Sequence, residues 1–248
     1  MGLMILKSSE KIISYIIDKT LLIKELLDNR SEVSLFTRPR RFGKTLELSM
    51  LRYYFEAGDK ADEKTADNRA LFDGLKILEA GDKYTKHLCQ YPVISISLKS
   101  ARQPDFEKAF VMLKRQIAEE FRRHKYVADN LEGNDERRYH LIMNETDQST
   151  QYLDAIAFLS RILYEYYQKK VIILLDEYDV PLENAYFNGF YNKMTDFIRS
   201  LFESALKTNS YLEFAVITGC LRITKESIFT GLNLSLIHIS EPTRLRRI

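Results

Sequence analysis

Four short apolar runs along the chain have the pattern of buried β-strands. They contain mostly β-branched and other apolar residues, with little alternation between apolar and polar positions. Parallel strands that are covered on both faces show this pattern. The runs are EVSLFT (32–37), PVISISL (92–98), KVIILLD (170–176) and LEFAVIT (212–218).

Amphipathic helical patterns separate these runs. In each of them, apolar residues recur every three or four positions and polar residues lie between them. Helices are predicted from just after Gly43 to about Glu56, and across 106–121, 153–166 and 194–205. Strands that alternate with amphipathic helices predict an α/β fold with a parallel sheet.

Two polar stretches have no clear periodicity. Residues 58–70 are predicted to form an exposed connection. Residues 128–150 are predicted to form a surface loop or a mobile lid.

The composition favours a globular protein in a reducing compartment. The chain has 248 residues, of which 45% are hydrophobic, so it can bury a sizeable core. A net charge of +2 gives no argument for a general binder of nucleic acid or membranes. Cys89 and Cys220 lie far apart and predict no disulfide framework. No signal peptide and no apolar run of about 20 residues is evident, so we expect a cytoplasmic protein.

Residues 37–45, TRPRRFGKT, end a predicted strand and begin a predicted helix. Gly43, Lys44 and Thr45 match the end of a phosphate-binding P-loop, in which backbone N–H groups and the helix N-terminus face the phosphates. In this interpretation Lys44 reaches the β- and γ-phosphates and the Thr45 hydroxyl ligates Mg²⁺. The candidate nucleotide-binding residues are Arg38, Pro39, Arg40, Arg41, Phe42, Gly43, Lys44 and Thr45.

The first glycine of a standard P-loop is missing from this stretch. Arg38 stands in its place, and Arg40 and Arg41 follow. That glycine usually supplies a backbone shape that arginine adopts only at a cost. On this stretch alone, a basic strand–helix turn is the alternative.

The run 170–176 ends in Asp176 and is followed by Glu177, which fits a Walker B strand. Carboxylates directly after a buried strand lie at its C-terminal edge, where ligands bind in open α/β sheets. Asp176 would hold Mg²⁺ through water, and Glu177 would orient and deprotonate the attacking water. A solvated acidic turn is the alternative.

The last predicted strand ends in Thr218 and Gly219, with Arg222 shortly after it. Thr218 would contact the γ-phosphate or the attacking water, and Arg222 would contact phosphate or signal the nucleotide state. A satisfied strand-end threonine and a surface arginine are the alternative. The three motifs occur in the order expected of a nucleotide hydrolase, and the adjacent Asp-Glu pair favours a hydrolase over a kinase.

The stretches YIIDKTLLIKELLD, LFTRPRRFGKTLELSML, VIILLDEYDVPLENAY, FIRSLFESALK and AVITGCLRITKESIFTGLN together resemble the predicted AAA-ATPase-like family of bacteria, over about residues 11–233. The family's own P-loop reads Arg-Pro-Arg-Arg-Phe-Gly-Lys-Ser/Thr, so the missing glycine agrees with the resemblance. Lys44, Thr45, Asp176 and Glu177 match the family's Walker positions, and Thr218 and Arg222 match its sensor-like positions.

The resemblance also implies a fold, cofactors and a partner. It implies a three-layer P-loop NTPase with strand order 5-1-4-3-2, which binds ATP and Mg²⁺. Family members commonly carry a PD-(D/E)XK nuclease-like domain at the C-terminal end. No such nuclease constellation is visible within residues 1–233.

The last 15 residues, LSLIHISEPTRLRRI (234–248), resemble the translation of a sequencing adaptor. We therefore expect an ATPase-like domain over 1–233 that is truncated after Asn233, and an artefactual tail over 234–248. The last strand of the sheet would then be missing, which would leave the strand 32–37 as an exposed edge. Such a fragment would be less stable than the intact domain, and its nucleotide pocket would be incomplete.

Three functions follow from these observations. The leading one is an ATP-binding module that hydrolyses ATP with Mg²⁺. The alternative is a nucleotide-dependent switch with little turnover that regulates an attached or partner nuclease-like effector. The third is a nucleic-acid-binding or nuclease component, in which contact with nucleic acid would depend on local arginines only.

Overall fold

A computed structural model of the chain describes residues 18–29, 31–39, 42–58, 68–146, 149–220 and 234–236. Strands and helices alternate through these ranges, as the sequence predicts. The strands are β1 (Val33–Thr37), β2 (Val93–Ser97), β3 (Val171–Asp176), β4 (Leu212–Gly219) and β5 (Leu234–Leu236). The helices are α1 (Leu21–Asn29), α2 (Lys44–Phe55), α3 (Lys76–Glu79), α4 (Asp82–Thr85), α5 (Phe106–Arg123), α6 (Gly133–Met143), α7 (Ala155–Tyr167), α8 (Val180–Phe187) and α9 (Tyr191–Phe202).

Capping residues explain two of these boundaries. Helix α5 begins at Phe106 because the Asp105 carboxylate accepts a hydrogen bond from the backbone N–H of Lys108 at 2.8 Å. Helix α7 ends where Gln168 adopts a left-handed conformation, with φ of 55°, and donates its backbone N–H to Tyr164 O. The start of α5 and the end of α7 are therefore set by local capping interactions.

The five strands form a parallel sheet in the order β2-β3-β4-β1-β5. This is the predicted order 5-1-4-3-2, read from the other edge. The register places Ser97 opposite Asp176 and Thr37 opposite Gly219. The C-terminal ends of β1, β2, β3 and β4 therefore meet at one edge of the sheet, where the sequence places the candidate chemistry.

The fifth place in the sheet is occupied, although we expected the last strand to be missing. β5 is only three residues long, and it pairs with the first part of β1 from Val33 to Leu35. This tripeptide pairs there because the edge of β1 offers backbone N–H and C=O groups that need partners. The expected edge is therefore partly covered. The adaptor-like origin of residues 234–248 stays a prediction.

Helices cover both faces of the sheet, which confirms the expected three-layer α/β fold. One buried apolar cluster joins the sheet to α5, α6, α7, α8 and α9. The other joins it to α1, α2 and the short helices of residues 68–85. All six residues of the central strand β3 are buried, which explains why its sequence lacks alternation.

The prediction of a loop over residues 128–150 was wrong for α6. Tyr139 and Ile142 are completely buried, and the Tyr139 hydroxyl donates to the Phe121 carbonyl at 2.8 Å. These two anchors are three residues apart, so they lie on one helix face and pack against α5. The stretch 58–70 is described only at its ends, and residues 59–67 lie outside the described ranges.

Within the described ranges, no helix combines the length and the apolar character that a membrane span requires.

Candidate functional site

The loop after β1 turns into α2 at Gly43, as the P-loop interpretation predicts. Gly43 has φ of 81° and ψ of 12°, a left-handed conformation that glycine adopts at little cost. Lys44 is the first residue of α2. The positive end of this helix therefore lies next to the loop.

The Lys44 side chain curls back into this loop and is only 5% exposed. Its ammonium donates to the carbonyl oxygens of Arg38 at 2.6 Å and Pro39 at 3.1 Å. It also lies 3.0 Å from the sulfur of Cys220, at the end of β4. Lys44 thus joins the loop to the tip of a second strand.

Asp176 joins the three sequence motifs into one cluster. Its Oδ2 accepts a hydrogen bond from the Thr45 hydroxyl at 2.7 Å, across 131 positions of sequence. Its Oδ1 accepts one from the Thr218 hydroxyl at 2.5 Å. Asp176 is 6% exposed and Thr218 is 1% exposed. The structure therefore brings Lys44, Thr45, Asp176 and Thr218 together.

The oxygen atoms of this cluster suit Mg²⁺. The Thr45 hydroxyl donates a hydrogen bond to Asp176, and its oxygen keeps lone pairs that can face a cation. Mg²⁺ prefers oxygen ligands and keeps several waters, so it needs few protein ligands in a nucleotide site. No group of three or more His, Cys, Asp or Glu side chains suited to a metal occurs among the described residues. The Thr45 hydroxyl and the Asp176 carboxylate are oxygen donors of the kind that Mg²⁺ takes when it shares its coordination with a phosphate.

Glu177 follows Asp176 in a strained conformation. Its φ of 54° lies in the left-handed region, which non-glycine residues seldom adopt and which often marks a functional site. Its backbone N–H donates to the Thr218 hydroxyl at 3.4 Å. Burial raises the pKa of the Glu177 carboxyl and the charge of Asp176 raises it further, whereas Lys99 and Lys44 oppose the shift. A raised pKa makes this carboxylate a better proton acceptor.

The turn after Glu177 is locked against the end of β4. The Asp179 carboxylate accepts the backbone N–H of Cys220 at 2.8 Å, and Tyr178 N–H donates to Thr218 O at 3.1 Å. A Cβ atom on Gly219 would lie 2.5 Å from the buried ring of Tyr178. Glycine is therefore required where these two segments meet.

The remaining predicted site residues have other positions. The Arg38 guanidinium donates to Glu47 of α2 at 2.7 Å, and Phe42 is 49% exposed. Thr218 lies at the predicted strand tip, with its hydroxyl engaged by Asp176 and Glu177. Sequence reasoning also named Arg40, Arg41 and Arg222, which lie outside the described residues.

Sequence reasoning missed two residues of the site. Glu47 is 4% exposed and binds Arg38 and Lys19. A charged residue between Leu46 and Leu48, one turn into the predicted helix, was the only signal for it. Cys220 was considered only as a cysteine without a disulfide or metal partner. Its distance to Lys44 depends on the pairing of β1 with β4, which the sequence did not define to the residue.

Comparisons with known proteins identify a family and a relative. The family described as "Predicted AAA-ATPase" matches residues 7–229. The chain is also 27% identical over 220 residues to a protein of Azotobacter chroococcum mcd 1 described as "Uncharacterized protein in vnfD 5'region". That match covers 88% of this chain but only 36% of the relative. No solved structure matches the chain.

Proposed function

Because the chain belongs to the family of predicted AAA-ATPases, we propose that it is an ATP-binding module that hydrolyses ATP with Mg²⁺. The observation that carries this proposal is the contact of Asp176 with both Thr45 and Thr218. It unites the strand–loop–helix motif with the two strand ends named from sequence. A solvated acidic turn or a merely basic turn has no reason to show this arrangement.

In the proposed site, the loop 38–45 and Lys44 bind the phosphates. Incoming phosphate oxygens replace the carbonyl groups of Arg38 and Pro39 as partners of the Lys44 ammonium. The start of α2 supplies backbone N–H groups and the positive end of the helix dipole. Lys44 then contributes a fixed positive charge next to the β- and γ-phosphates.

Thr45 and Asp176 are the residues that would hold Mg²⁺, Thr45 directly and Asp176 through water. Mg²⁺ bound there would neutralise charge that develops on the phosphate oxygens. Thr218 keeps Asp176 oriented, because its hydroxyl donates to the second carboxylate oxygen. Arg40, Arg41 and Arg222 remain proposed phosphate contacts on sequence grounds alone.

Glu177 is the proposed general base. Its carboxylate follows the metal-binding aspartate directly, and its strained backbone holds it at the C-terminal edge of the sheet. It would accept the proton of the water that attacks the γ-phosphate. Its raised pKa brings it closer to the range in which a base works efficiently near neutral pH.

The Glu177→Gln variant tests the proposal. It should bind ATP with Mg²⁺ as the wild type does, but single-turnover hydrolysis should slow by a factor of about 10² to 10⁴. Glu213→Gln is the matched control, because Glu213 is an exposed carboxylate near the other end of β4. Unchanged hydrolysis in Glu177→Gln would reject Glu177 as the base.

The same experiment separates the hydrolase from a switch. A wild-type chain that binds ATP tightly, hydrolyses it very slowly and retains the product is a switch. The relative is longer than this chain, since the match covers 36% of it, so a regulated domain elsewhere in the intact protein is a reasonable partner. A nuclease-like domain in that position remains a proposal from the resemblance.

A further inference from the structure

Glu47 is a buried carboxylate one turn into α2, next to the phosphate-binding loop. We propose that Glu47 is a positioning residue that holds this loop in shape through Arg38 and Lys19, in place of the missing glycine. This inference rests on the proposed nucleotide site. It assigns a role to Arg38, the residue that stands in the place of the first glycine of a standard P-loop.

The contacts of Glu47 converge on a single oxygen atom. Its Oε1 accepts a hydrogen bond from Arg38 Nη1 at 2.7 Å and another from Lys19 Nζ at 3.0 Å. The Glu47 side chain is 4% exposed and that of Arg38 is 16% exposed. A carboxylate this well buried is held rigidly when two cations share it, because charge-assisted hydrogen bonds are short and strong.

Glu47 is itself fixed to the base of the loop. Its backbone N–H donates to the carbonyl of Gly43 at 2.9 Å, as the first regular hydrogen bond of α2. Its side chain then reaches back to Arg38 at the start of the loop. The two ends of the loop, Arg38 and Gly43, are therefore connected through one residue.

Arg38 transmits this connection to Lys44. Its backbone N–H donates to Gly219 O at 3.1 Å, so it continues the pairing of β1 with β4. Its carbonyl accepts the Lys44 ammonium at 2.6 Å. With the backbone and the guanidinium both held, the Arg38 carbonyl has a fixed position, and so does the lysine that binds it.

This arrangement explains how the loop does without its first glycine. A glycine-rich loop obtains its shape from backbone freedom. Here Arg38, which stands in the place of that glycine, is instead held by the ion pair of its side chain with Glu47 of α2. Lys19 also lies close to the end of the loop, since its ammonium is 3.8 Å from the position that a Cβ atom on Gly43 would occupy.

The charges explain why a carboxylate is needed at this point. Lys19, Arg38 and Lys44 bring three positive charges to the loop, and Glu47 is the acid that binds the first two. Without it, Arg38 and Lys19 repel each other and Lys44, and Arg38 loses its anchor. Arg38 and Lys44 then lose their fixed positions although the core remains intact.

Alkylation of Cys220 reports the position of the loop without any nucleotide. The Cys220 sulfur lies 3.0 Å from Lys44 Nζ, so a displaced Lys44 uncovers the thiol. In the full chain, Glu47→Gln should increase the rate of Cys220 alkylation by iodoacetamide roughly tenfold, since a charge-assisted anchor is lost. Cys89, which is also partly buried, is followed by mass spectrometry in the same sample and should react at its wild-type rate.

Nucleotide affinity gives the second readout. Glu47→Gln should weaken the binding of ATP with Mg²⁺ about tenfold, and Arg38→Met should do the same. The double variant should be no weaker than either single one, because the two residues act as one unit. Arg38→Lys should restore part of the affinity, since it keeps the charge.

Glu120→Gln is the matched control for burial. Glu120 is 5% exposed and also binds an arginine, but it lies on α5, away from the loop. It should lower the melting temperature without changing either the alkylation of Cys220 in the folded state or the affinity for ATP. Glu47→Gln, in contrast, should change both the alkylation of Cys220 in the folded state and the affinity for ATP.

The outcomes distinguish this inference from the proposed function. If Cys220 of Glu47→Gln is alkylated at the wild-type rate and this variant binds ATP as the wild type does, the inference is overturned. Glu47 then forms only an ordinary buried ion pair. If the wild type binds no ATP but Glu47→Gln still exposes Cys220, the nucleotide site is rejected and the positioning role stands. Additive losses in the double variant would also overturn the inference.

Discussion

Glu47 and Glu120 are both buried carboxylates that bind cationic partners, but they lie in regions with opposite tasks. Glu47 connects a helix to a loop, and its partners Arg38 and Lys19 come from segments at the start of the proposed site. Glu120 connects a helix to a strand, at the outer edge of the sheet. The comparison sets a charge that we propose to position the phosphate-binding loop against a charge that completes the fold.

The Glu120 region protects an edge of the sheet. The carbonyl of Pro92 and the N–H of Leu98 form hydrogen bonds with β3. Because successive residues of a strand direct these groups to opposite sides, Val93 O and Ser95 N–H face the free side of β2. Glu120 Oε1 accepts the Ser95 N–H at 2.7 Å, and Val93 O accepts from Arg123 Nη2 at 2.5 Å. These side chains satisfy backbone groups that would otherwise be open to another strand.

The two regions also differ in what surrounds the charge. Around Glu120, Arg123 binds both Glu120 and Glu56, and every partner belongs to a regular element or its end. Around Glu47, the key partner is a loop residue. The same kind of ion pair therefore lies within or between regular elements in one region, whereas in the other it holds a residue of the proposed phosphate-binding loop.

The largest expected effect is on stability, in Glu120→Ala. The change leaves Arg123 and the Ser95 N–H without a buried partner, so the free energy of unfolding should fall by about 3 to 5 kcal/mol. Urea denaturation followed by circular dichroism measures this. Glu119→Ala removes an exposed carboxylate paired with Arg122 and should cost less than about 1 kcal/mol. Equal losses in the two variants would contradict the assigned role of Glu120.

Acid should weaken the Glu120 region within a defined range of pH. Burial alone raises the pKa of Glu120, but the charge of Arg123 and hydrogen bonds from His124 and Arg123 outweigh it and lower the pKa to about 2. A carboxyl with a lowered pKa in the folded state stabilises the protein above its ordinary value of 4.5, and this contribution is lost as the pH falls toward about 2.

The free energy of unfolding, measured between pH 6 and pH 2, tests this. A shift of one pKa unit corresponds to about 1.4 kcal/mol. Wild-type stability should fall by about 2 to 4 kcal/mol more than that of Glu120→Gln over this range. Parallel stability curves for the two chains would show that Glu120 does not supply the acid sensitivity.

The smallest effect is expected at the strained residue of the site. Glu177→Gly relieves a left-handed backbone conformation and should raise the free energy of unfolding by up to about 1 kcal/mol, while hydrolysis is lost. Urea denaturation measures the free energy of unfolding, and a single-turnover assay on the same preparation measures the rate of hydrolysis. A clear loss of stability would show that the conformation of Glu177 is not strained.

The sequence predicted the regular part of this molecule well. The four main strands are confirmed to within a residue or two at each end, because continuous apolar runs between amphipathic helices leave few other arrangements. Lys44, Thr45, Asp176 and Thr218, which were named from sequence as site residues, also lie close together. Parallel strands bring their C-terminal ends to one edge, so this proximity follows from topology.

The parts that could not be predicted depend on contacts between distant side chains. The burial of Glu47 follows from Arg38 and Lys19, and neither partner is visible in the local pattern of α2. Helix α6 has two buried anchors among many polar residues, so its periodicity was too weak to detect. β5 is shorter than a recognisable strand pattern.

Titration calorimetry of ATP into the full chain, with Mg²⁺ present, tests the central claim most directly. The wild type should bind one ATP per chain. Lys44→Ala should show no measurable binding in a chain that is still folded by circular dichroism, because it removes the ammonium that we propose binds the phosphates. Equal binding by the two chains, or no binding by the wild type, would contradict the assignment of residues 38–45 as a nucleotide site.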